Sequence, residues 1–223
     1  MCFSISASFS AAFLLCTLGA LSIYKFSSRS TIFFAAFPLL FGIQQFFEGI
    51  VWLSLLYPAY ASLQKLGVYS FLFFASIIWP IWVPLSLLML EPHKIRRTLL
   101  FFLTSCGIIM AFFLLYKLFI NGAQAYRDAH HIVYEIQTDI VWPLSLAYLI
   151  PTLLPFFISS LHAMPFFGLV LLISYGVTHY WWHAYSISVW CFFAALISGM
   201  VIVILQFLQD HHLNQHTTKH HPH

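Results

Sequence analysis

Long apolar stretches, separated by short polar segments, recur along the whole of this 223-residue chain. A helix that crosses a membrane needs about 20 consecutive, mostly apolar residues. Runs such as FFLTSCGIIMAFFLL lack the alternation of apolar and polar positions that transmembrane β-strands require. The pattern therefore predicts an all-α, multi-pass membrane protein with seven spans. The predicted spans are Phe3–Tyr24, Ile32–Leu56, Leu66–Leu90, Leu99–Ile120, Asp139–Ile158, Met164–Val177 and Ser186–Leu208.

The polar segments predict how the chain is oriented and divided. If the N-terminus is outside, six basic residues lie inside and three lie outside, and Lys and Arg favour the cytoplasmic side. The inner group is Lys25, Arg29, Lys94, Arg96, Arg97 and Lys219, and the outer group is Lys65, Lys117 and Arg127. Residues 1–208 form the predicted transmembrane domain, and residues 209–223 a histidine-rich, disordered cytoplasmic tail. The outer loop of residues 121–138 is predicted to be a short interfacial helix or a packed loop.

Composition supports a membrane protein and argues against other classes. Hydrophobic residues make up 61% of the chain and charged residues 7%, whereas soluble domains carry about 25% charged residues. The formal charge of +3 comes with no basic arm or basic groove, so nucleic acid is not an expected partner. The expected surroundings are a lipid bilayer. The four cysteines show no CxxC spacing, and a disulfide framework is not expected.

One acidic residue, Glu48, lies deep within a predicted span, in the sequence GIQQFFEGIVWL. Gln44 precedes it by four residues and Gln45 by three, so helical spacing places all three on one face. Ionisable residues inside a membrane are costly and commonly functional. Two interpretations remain open. Glu48 is either a hydrogen-bonded staple between helices or a functional carboxyl that acts as a metal ligand, a general base, or a proton or ion relay.

A second group of polar residues lies at the predicted outer ends of the spans. His179 and His183, in THYWWHAYS, are four residues apart, and so are His131 and Glu135 in the outer loop. Asp139 begins the fifth predicted span. Imidazole and carboxylate are ligands of Zn²⁺, and a catalytic zinc site keeps one position open for water. The group predicts a zinc site on the outer side. The alternative is an aromatic belt at the membrane interface, where Trp, Tyr and His are common.

Four segments spread along the chain carry a family resemblance: MCFS at the N-terminus, FEGIVWL at Phe47–Leu53, WPIWVPL at Trp79–Leu85 with LEP shortly after, and VWCFFAAL at Val189–Leu196. With these segments the chain resembles a family of uncharacterised bacterial multi-pass membrane proteins. The resemblance implies a membrane fold in the bacterial inner membrane and no particular chemistry.

The segment HYWWH, immediately before the seventh predicted span, carries a second and more local resemblance. It is similar to the start of the last span in the alkaline ceramidase and adiponectin-receptor superfamily, whose members are seven-span, zinc-dependent amide hydrolases. The resemblance implies a zinc ion held by His179 and His183. That superfamily takes a third histidine from its second span and an aspartate from its third, and this chain has neither there. A zinc hydrolase here would need another third ligand, such as His131 or Glu48.

Three functions are therefore compatible with the sequence. A zinc-dependent membrane hydrolase acting on a lipid or an amide would hold its metal at His179 and His183, with Glu48 as general base. A transporter or small-ligand binder would use the Glu48 face and the proline-kinked spans. A structural or partner-binding membrane protein would use Glu48 only for stability or assembly.

Overall fold

The structure, a computed structural model, describes residues 4–136 and 141–218, without the side chains of residues 136, 141–146 and 211–218. Within these residues the chain forms α-helices joined by short turns, with one β-hairpin between the sixth and seventh helices. The helices are α1 (Ile5–Lys25), α2 (Ile32–Ala35), α3 (Phe37–Leu56), α4 (Gln64–Phe73), α5 (Trp79–Leu90), α6 (Lys94–Asn121), α7 (Val141–Ile158), α8 (Ala163–Trp181), α9 (Ser186–Ser198) and α10 (Met200–Thr218).

Six helical segments of the described chain are long and apolar enough to cross a membrane. They are Ile5–Lys25, Ile32–Leu56, Pro58–Leu90, Lys94–Asn121, Ala163–Trp181 and His183–Asp210, and they coincide with six of the seven predicted spans. The all-α membrane fold is thereby confirmed at this level. The remaining predicted span corresponds to α7, whose described side chains form a shorter apolar helix, Ala147–Ile158. Helix α10 continues to Thr218, so the predicted tail starts inside a helix.

The third membrane-length segment changes its helical geometry near its prolines. A π-helical turn, Phe74–Ile78, leads without a break into α5, and Pro80 follows this turn closely. The Tyr148 hydroxyl of α7 donates a 2.5 Å hydrogen bond to the Ala75 carbonyl in that turn. Helix α6 passes very close by, because a Cβ added at Gly107 would lie 1.9 Å from the Pro80 carbonyl oxygen. The irregular turn is therefore held between α6 and α7.

Two hydrophobic clusters form the core, and α3 runs through both. The first cluster includes Phe37 and Phe41 of α3, and the second includes Val51 and Trp52 of the same helix. Between these positions α3 carries the buried polar residues predicted from its sequence, at positions 44, 45 and 48. The core is therefore interrupted by a polar layer near the middle of α3.

The described part of the loop that was predicted to be a short interfacial helix or a packed loop forms a β-hairpin, so the helix alternative was wrong. Strands β1 (Ala123–Asp128) and β2 (His131–Ile136) pair antiparallel, with Asp128 opposite His131 and a two-residue turn between them. Strand β2 is rich in β-branched and aromatic residues, which favour strands. Its Ile132 and Tyr134 are buried in the second cluster. The hairpin thus packs on one end of the helical bundle, against α3, α4, α6 and α9.

Candidate functional site

A stripe of four polar or partly polar side chains runs along one face of α3. Gln44, Gln45, Glu48 and Trp52 follow one another at spacings of one, three and four residues, and together form what we call the Glu48 stripe. Gln44, Gln45 and Glu48 are completely inaccessible to solvent, and Trp52 is 2% exposed. Two turns of one helix therefore place a carboxyl, two amides and an indole N–H in the interior of the bundle.

The Glu48 carboxyl meets the start of α9. The Ser188 hydroxyl, in the first turn of α9, donates a hydrogen bond to Glu48 Oε1. The N-terminal end of a helix carries a partial positive charge, which favours a negative group there. The second carboxyl oxygen, Oε2, has no hydrogen-bond partner among the described residues. One carboxyl oxygen thus accepts a hydrogen bond from α9, and the other accepts none from the described residues.

The other members of the stripe are also only partly satisfied. Trp79 Nε1 of α5 donates a 2.7 Å hydrogen bond to Gln44 Oε1. Within the described part of the chain, Gln44 Nε2, both polar atoms of Gln45 and Trp52 Nε1 make no hydrogen bond of ordinary geometry. The Gln45 amide nevertheless lies beside the Glu48 carboxyl, and the Gln44 amide beside the Cys191 thiol. Together with Glu48 Oε2, five buried polar atoms remain open. Such atoms are rare in folded proteins and call for a bound group such as water, an ion or a ligand.

The hairpin covers the stripe at the end nearest Trp52. Tyr134 of β2 stacks on Phe71 with ring centroids 4.6 Å apart, and its buried hydroxyl has no partner among the described residues. Burial, together with the nearby Glu48 carboxyl, raises the pKa of Tyr134 well above its usual value. The hydroxyl therefore keeps its proton and stays available as a donor.

Two contacts tie the hairpin to the short 3₁₀ turn His183–Tyr185 that precedes α9. The Tyr185 hydroxyl donates a 2.5 Å hydrogen bond to Asp128 Oδ2. The His131 ring stacks on the Tyr185 ring with centroids 4.3 Å apart. The hairpin and the turn between α8 and α9 consequently lie at the same end of the molecule.

A small cavity adjoins the stripe at the Gln44 end. Its volume is about 40 Å³, which is room for only a few water molecules, since one needs about 10–15 Å³ of such space. Trp79, which donates to Gln44, lines it, and so does Cys191, whose thiol lies beside the Gln44 amide. The rest of its wall is mostly apolar. The cavity is therefore a small, mostly apolar space beside the stripe, and none of the four stripe residues lines it.

The predicted metal ligands come together only in part. The rings of His179 and His183 lie 4.6 Å apart at 60°, so the pair is in contact. Helix α8 ends at Trp181, however, so the two residues do not share a face of one continuous helix. His131 lies at the same end of the molecule, stacked on Tyr185. This end therefore gathers the histidines, although not through the helical spacing on which the prediction relied.

The predicted acidic ligands do not complete such a site in the described structure. Glu135 accepts a 3.0 Å hydrogen bond from the Tyr126 hydroxyl across the hairpin. Asp139 lies outside the described residues. Among those residues, no group of three or more His, Cys, Asp or Glu side chains is arranged to hold a metal ion. Among the described residues that the sequence predicted as zinc ligands, the two that contact each other are His179 and His183.

A second buried carboxyl, Glu91, was not predicted as a site residue. It is 3% exposed and lies just after α5, at the other end of the molecule from the hairpin. Its oxygens accept hydrogen bonds from the Ser160 hydroxyl at 2.6 Å, the Ser160 N–H at 2.8 Å, and the Ser159 hydroxyl and the His93 N–H at 3.2 Å each. Burial raises the pKa of Glu91, but these hydrogen bonds outweigh it and hold the pKa below its usual value.

Arg96 strengthens the same junction by donating to the carbonyls of Ile158 and Ser159 at 2.9 and 2.8 Å. Glu91 and Arg96 thus join the turn before α6 to the turn after α7. The signal in the sequence was the segment LEPHKIRR, an acid and several cations at the end of a span. Because both of its oxygens are satisfied, Glu91 is a structural residue.

An all-α chain with membrane-length helices and a buried polar stripe belongs to the class of polytopic membrane proteins. This chain is a member of the family of unknown function DUF6629, whose model matches residues 1–218. The match agrees with the resemblance to an uncharacterised family noted from the sequence. No curated protein and no solved structure matches the chain. The similarity of HYWWH to zinc hydrolases stays a prediction, and the function has to be argued from the residues.

Proposed function

We propose that this protein is a transporter or small-ligand binder of the bacterial inner membrane, with the Glu48 stripe as its binding site. The observation that carries the proposal is the five open polar atoms on two buried turns of α3. A buried polar atom without a partner costs about 1–3 kcal/mol. A ligand that satisfies several of them therefore gains binding energy from groups that the fold alone leaves open.

The proposal is favoured over a purely structural staple because of how few bonds the stripe makes to other helices. A staple stabilises by pairing polar groups across an interface. Here Ser188 and Trp79 each supply one hydrogen bond, to Glu48 and Gln44. Gln45 is fully buried, and its amide makes no hydrogen bond of ordinary geometry within the described residues; its polar neighbour is the Glu48 carboxyl of the same helix. An amide whose polar neighbour lies on its own helix does not pair two helices, as a staple would.

Seven spans with an outer N-terminus form part of this proposal. The Tyr185–Asp128 hydrogen bond keeps the hairpin and the α8–α9 turn at one end. Among the described residues, α7 and α8 are the two helices between these points along the chain. If α8, which has membrane-spanning length, crosses the membrane, then α7 must cross it in the opposite direction. This supports a seventh span and, with the basic inner loops, an outer hairpin.

The experiment is a ligand screen on the purified full chain in lipid nanodiscs. Thermal unfolding is recorded with a panel of inorganic ions, small amines, amino acids and polyols. At least one compound is expected to raise the Tm of the wild type, and Glu48→Gln is expected to abolish that rise. Glu91→Gln is the matched control and should keep the response. If no compound acts, and Glu48→Gln changes only stability, the protein is structural and the proposal is wrong.

A second candidate function is zinc-dependent hydrolysis of a lipid or an amide. Its supporting observation is the 4.6 Å contact between the rings of His179 and His183. Two imidazoles at this separation fit two positions of a zinc site, which needs at least one more protein ligand. His131, Glu135 and Asp139 are the residues from which that ligand would come. Bound zinc would supply a polarised water, with Glu48 as the predicted base.

Metal analysis tests this second candidate. The purified protein should carry about one zinc ion per chain, because a structured zinc site binds tightly. The His179→Ala and His183→Ala variants should lose it. If the wild type contains no zinc, iron or copper and the two variants are as stable as the wild type, the candidate is removed.

A further inference from the structure

We infer that Glu48 holds an exchangeable proton, which its carboxyl shares with the amide of Gln45. The inference rests on the proposed function, because it describes the state in which the Glu48 stripe meets its ligand. Three features of the described residues support it: the charges around Glu48, the position of the Gln45 amide, and the contact with the start of α9.

The first feature is the lack of a positive charge near Glu48 among the described residues. Neither α3, which carries the carboxyl, nor α9, which donates to it, contains a Lys, Arg or His residue. The other elements that make the main contacts with α3 carry Lys25, Lys65 and Arg127, and all three are exposed. A carboxylate in an apolar interior is very costly unless an opposite charge accompanies it, and such a group takes up a proton instead.

The titratable groups closest to Glu48 do not change this balance. The Tyr134 hydroxyl of β2 and the Cys191 thiol of α9 are the two that interact with it electrostatically. Both are acids that keep their protons at neutral pH, so neither supplies a positive charge. Within the described part of the bundle, the charge of an ionised Glu48 would therefore be unbalanced.

The second feature is the Gln45 amide beside the carboxyl. Glu48 Oε2 and Gln45 Oε1 are both acceptors, and neither makes a hydrogen bond of ordinary geometry within the described residues. A proton on Oε2 makes that oxygen a donor, and the amide needs only to turn its oxygen toward it. The proton thus pairs two of the five open atoms without requiring a cavity at the stripe.

The third feature makes the proton exchangeable, because the ionised form also has support. The Ser188 hydroxyl donates to Glu48 Oε1 from the first turn of α9, where the helix end is partly positive. The Gln45 amide, turned the other way, presents an N–H to the carboxylate. Burial favours the neutral form and these donors favour the ionised one. Glu48 can therefore release its proton without moving.

A proton on Glu48 also narrows the chemistry of the ligand. The atoms that then stay open on the stripe are all donors, namely Gln44 Nε2, Gln45 Nε2 and Trp52 Nε1. The ligand therefore presents acceptor oxygens, and an ionised Glu48 would repel them. Binding at the stripe should accordingly weaken as the pH rises and Glu48 loses its proton.

The test is infrared spectroscopy of the purified full chain in dodecyl maltoside, a detergent without carbonyl groups. A protonated carboxyl gives a C=O stretching band that is separate from the amide bands and shifts in D₂O. The wild type should show this band at neutral pH and lose it at alkaline pH. The band should be absent in Glu48→Gln and present in Glu91→Gln, because Glu91 accepts four hydrogen bonds as an ionised group.

Two further variants keep the test decisive if Glu48→Gln does not fold. Gln45→Leu removes the amide that accepts the proton, so the band should stay and move to higher wavenumber. Ser105→Ala changes an exposed hydroxyl on α6, far along the chain from the stripe, and should leave the band unchanged.

The inference is overturned if the wild type has no such band at neutral pH, if the band does not shift in D₂O, or if Glu48→Gln retains it. A panel compound that raises the Tm through Glu48 should lose its effect at alkaline pH, and an unchanged effect would show that the proton has no part in binding. If the band is found and no panel compound acts, the proposed function alone fails. If a compound acts through Glu48 and the band is missing, the proton inference alone fails.

Discussion

At the scale of single residues, two buried carboxyl groups differ in how many hydrogen bonds the fold supplies to them. Glu91 accepts four hydrogen bonds, two of them from backbone N–H groups, and needs nothing further. Glu48 accepts one from a serine and retains an open oxygen in a bundle with no neighbouring cation on α3 or α9. Burial alone therefore does not mark a functional carboxyl. The proposal for Glu48 rests instead on how few hydrogen bonds the fold supplies to it.

Glu91→Gln should lower stability at neutral pH and remove part of its pH dependence. Because the pKa of Glu91 is lower in the folded protein, its contribution is fully present above the unfolded value of about 4.3. It is lost as the pH falls through the folded value. We expect a loss of roughly 2 kcal/mol at pH 7, since hydrogen bonds to charged groups contribute about 1.5–3 kcal/mol.

The measurement is the difference in Tm between the wild type and Glu91→Gln from pH 7 down to pH 3. The difference should shrink at acidic pH, where the wild-type carboxyl also becomes neutral. Ser160→Ala, which removes the 2.6 Å hydrogen bond, should act in the same direction with a smaller effect. A difference that stays constant across the pH range would show that the charge of Glu91 has no part in it.

Three of the four residues of the Glu48 stripe could be predicted from the sequence. Gln44, Gln45 and Glu48 were found because helical spacing and apolar surroundings are local properties. Trp52 was not predicted, because tryptophan is common in membrane helices and its presence there does not indicate a site. Ser188, which donates to Glu48, lies 140 positions further along the chain. This contact depends on how α3 and α9 pack, and the packing could not be predicted from one sequence.

At the scale of elements, the tightest junction is the crossing of α6 over the start of α5. A methyl group at position 107 would lie 1.9 Å from the Pro80 carbonyl oxygen, and a backbone atom cannot move aside as a side chain can. Gly107→Ala should therefore separate the helices and destabilise the protein by at least 1–3 kcal/mol. Gly176→Ala on α8 is the control, because a methyl group there meets nothing within 4 Å.

Tm values of the two alanine variants check this prediction. For a chain of this size, each kcal/mol corresponds to about 2–4 °C. Gly107→Ala should unfold clearly earlier than the wild type, and Gly176→Ala should be unchanged or slightly more stable because alanine favours helix. Equal Tm values for the two variants would contradict the close approach of α6 to Pro80.

The hairpin should loosen when its bond to the 3₁₀ turn is removed. Tyr185→Phe deletes the hydroxyl that donates to Asp128 and keeps the ring that stacks on His131. Because an exposed hydrogen bond stabilises only modestly, hairpin opening should increase by a small factor. Hydrogen–deuterium exchange of β1 and β2 measures it. Tyr126→Phe, which removes the hydroxyl bonded to Glu135, is the control, and equal exchange in both variants would rule out a specific latch.

The helices and the hairpin differed in how well they could be predicted from the sequence. Membrane helices are long apolar runs, and their bounds follow from hydropathy. The hairpin has no Asn-Gly or Asp-Gly turn, which is the usual signal, and its turn places Ala129 at φ 49°, a conformation that alanine rarely adopts. The π-helical turn before α5 likewise depends on the packing of α6 and α7 and leaves no trace in the periodicity.

At the scale of the whole molecule, the two ends are closed in different ways. At one end Glu91 and Arg96 join two interhelical turns through hydrogen bonds that leave no oxygen of Glu91 open. At the other end a hairpin rests on the bundle and is tied to it by exposed contacts. The Glu48 stripe lies between these ends. We therefore expect a ligand to reach it from the hairpin end.

This asymmetry has a consequence for topology that accessible cysteines can test. Ser30, Ala129 and Ala184 are all exposed, and they lie in the α1–α2 turn, the hairpin turn and the α8–α9 turn. In a background whose four native cysteines are replaced, each position is changed to cysteine and labelled in intact cells with a membrane-impermeant maleimide. Seven spans with an outer N-terminus predict labelling of Ala129→Cys and Ala184→Cys from outside, and of Ser30→Cys only after the membrane is permeabilised. Labelling of Ala129→Cys but not Ala184→Cys would mean that α7 does not cross, and the reverse pattern at all three positions would invert the orientation. In either case the route from the hairpin end to Glu48 would have to be reassigned.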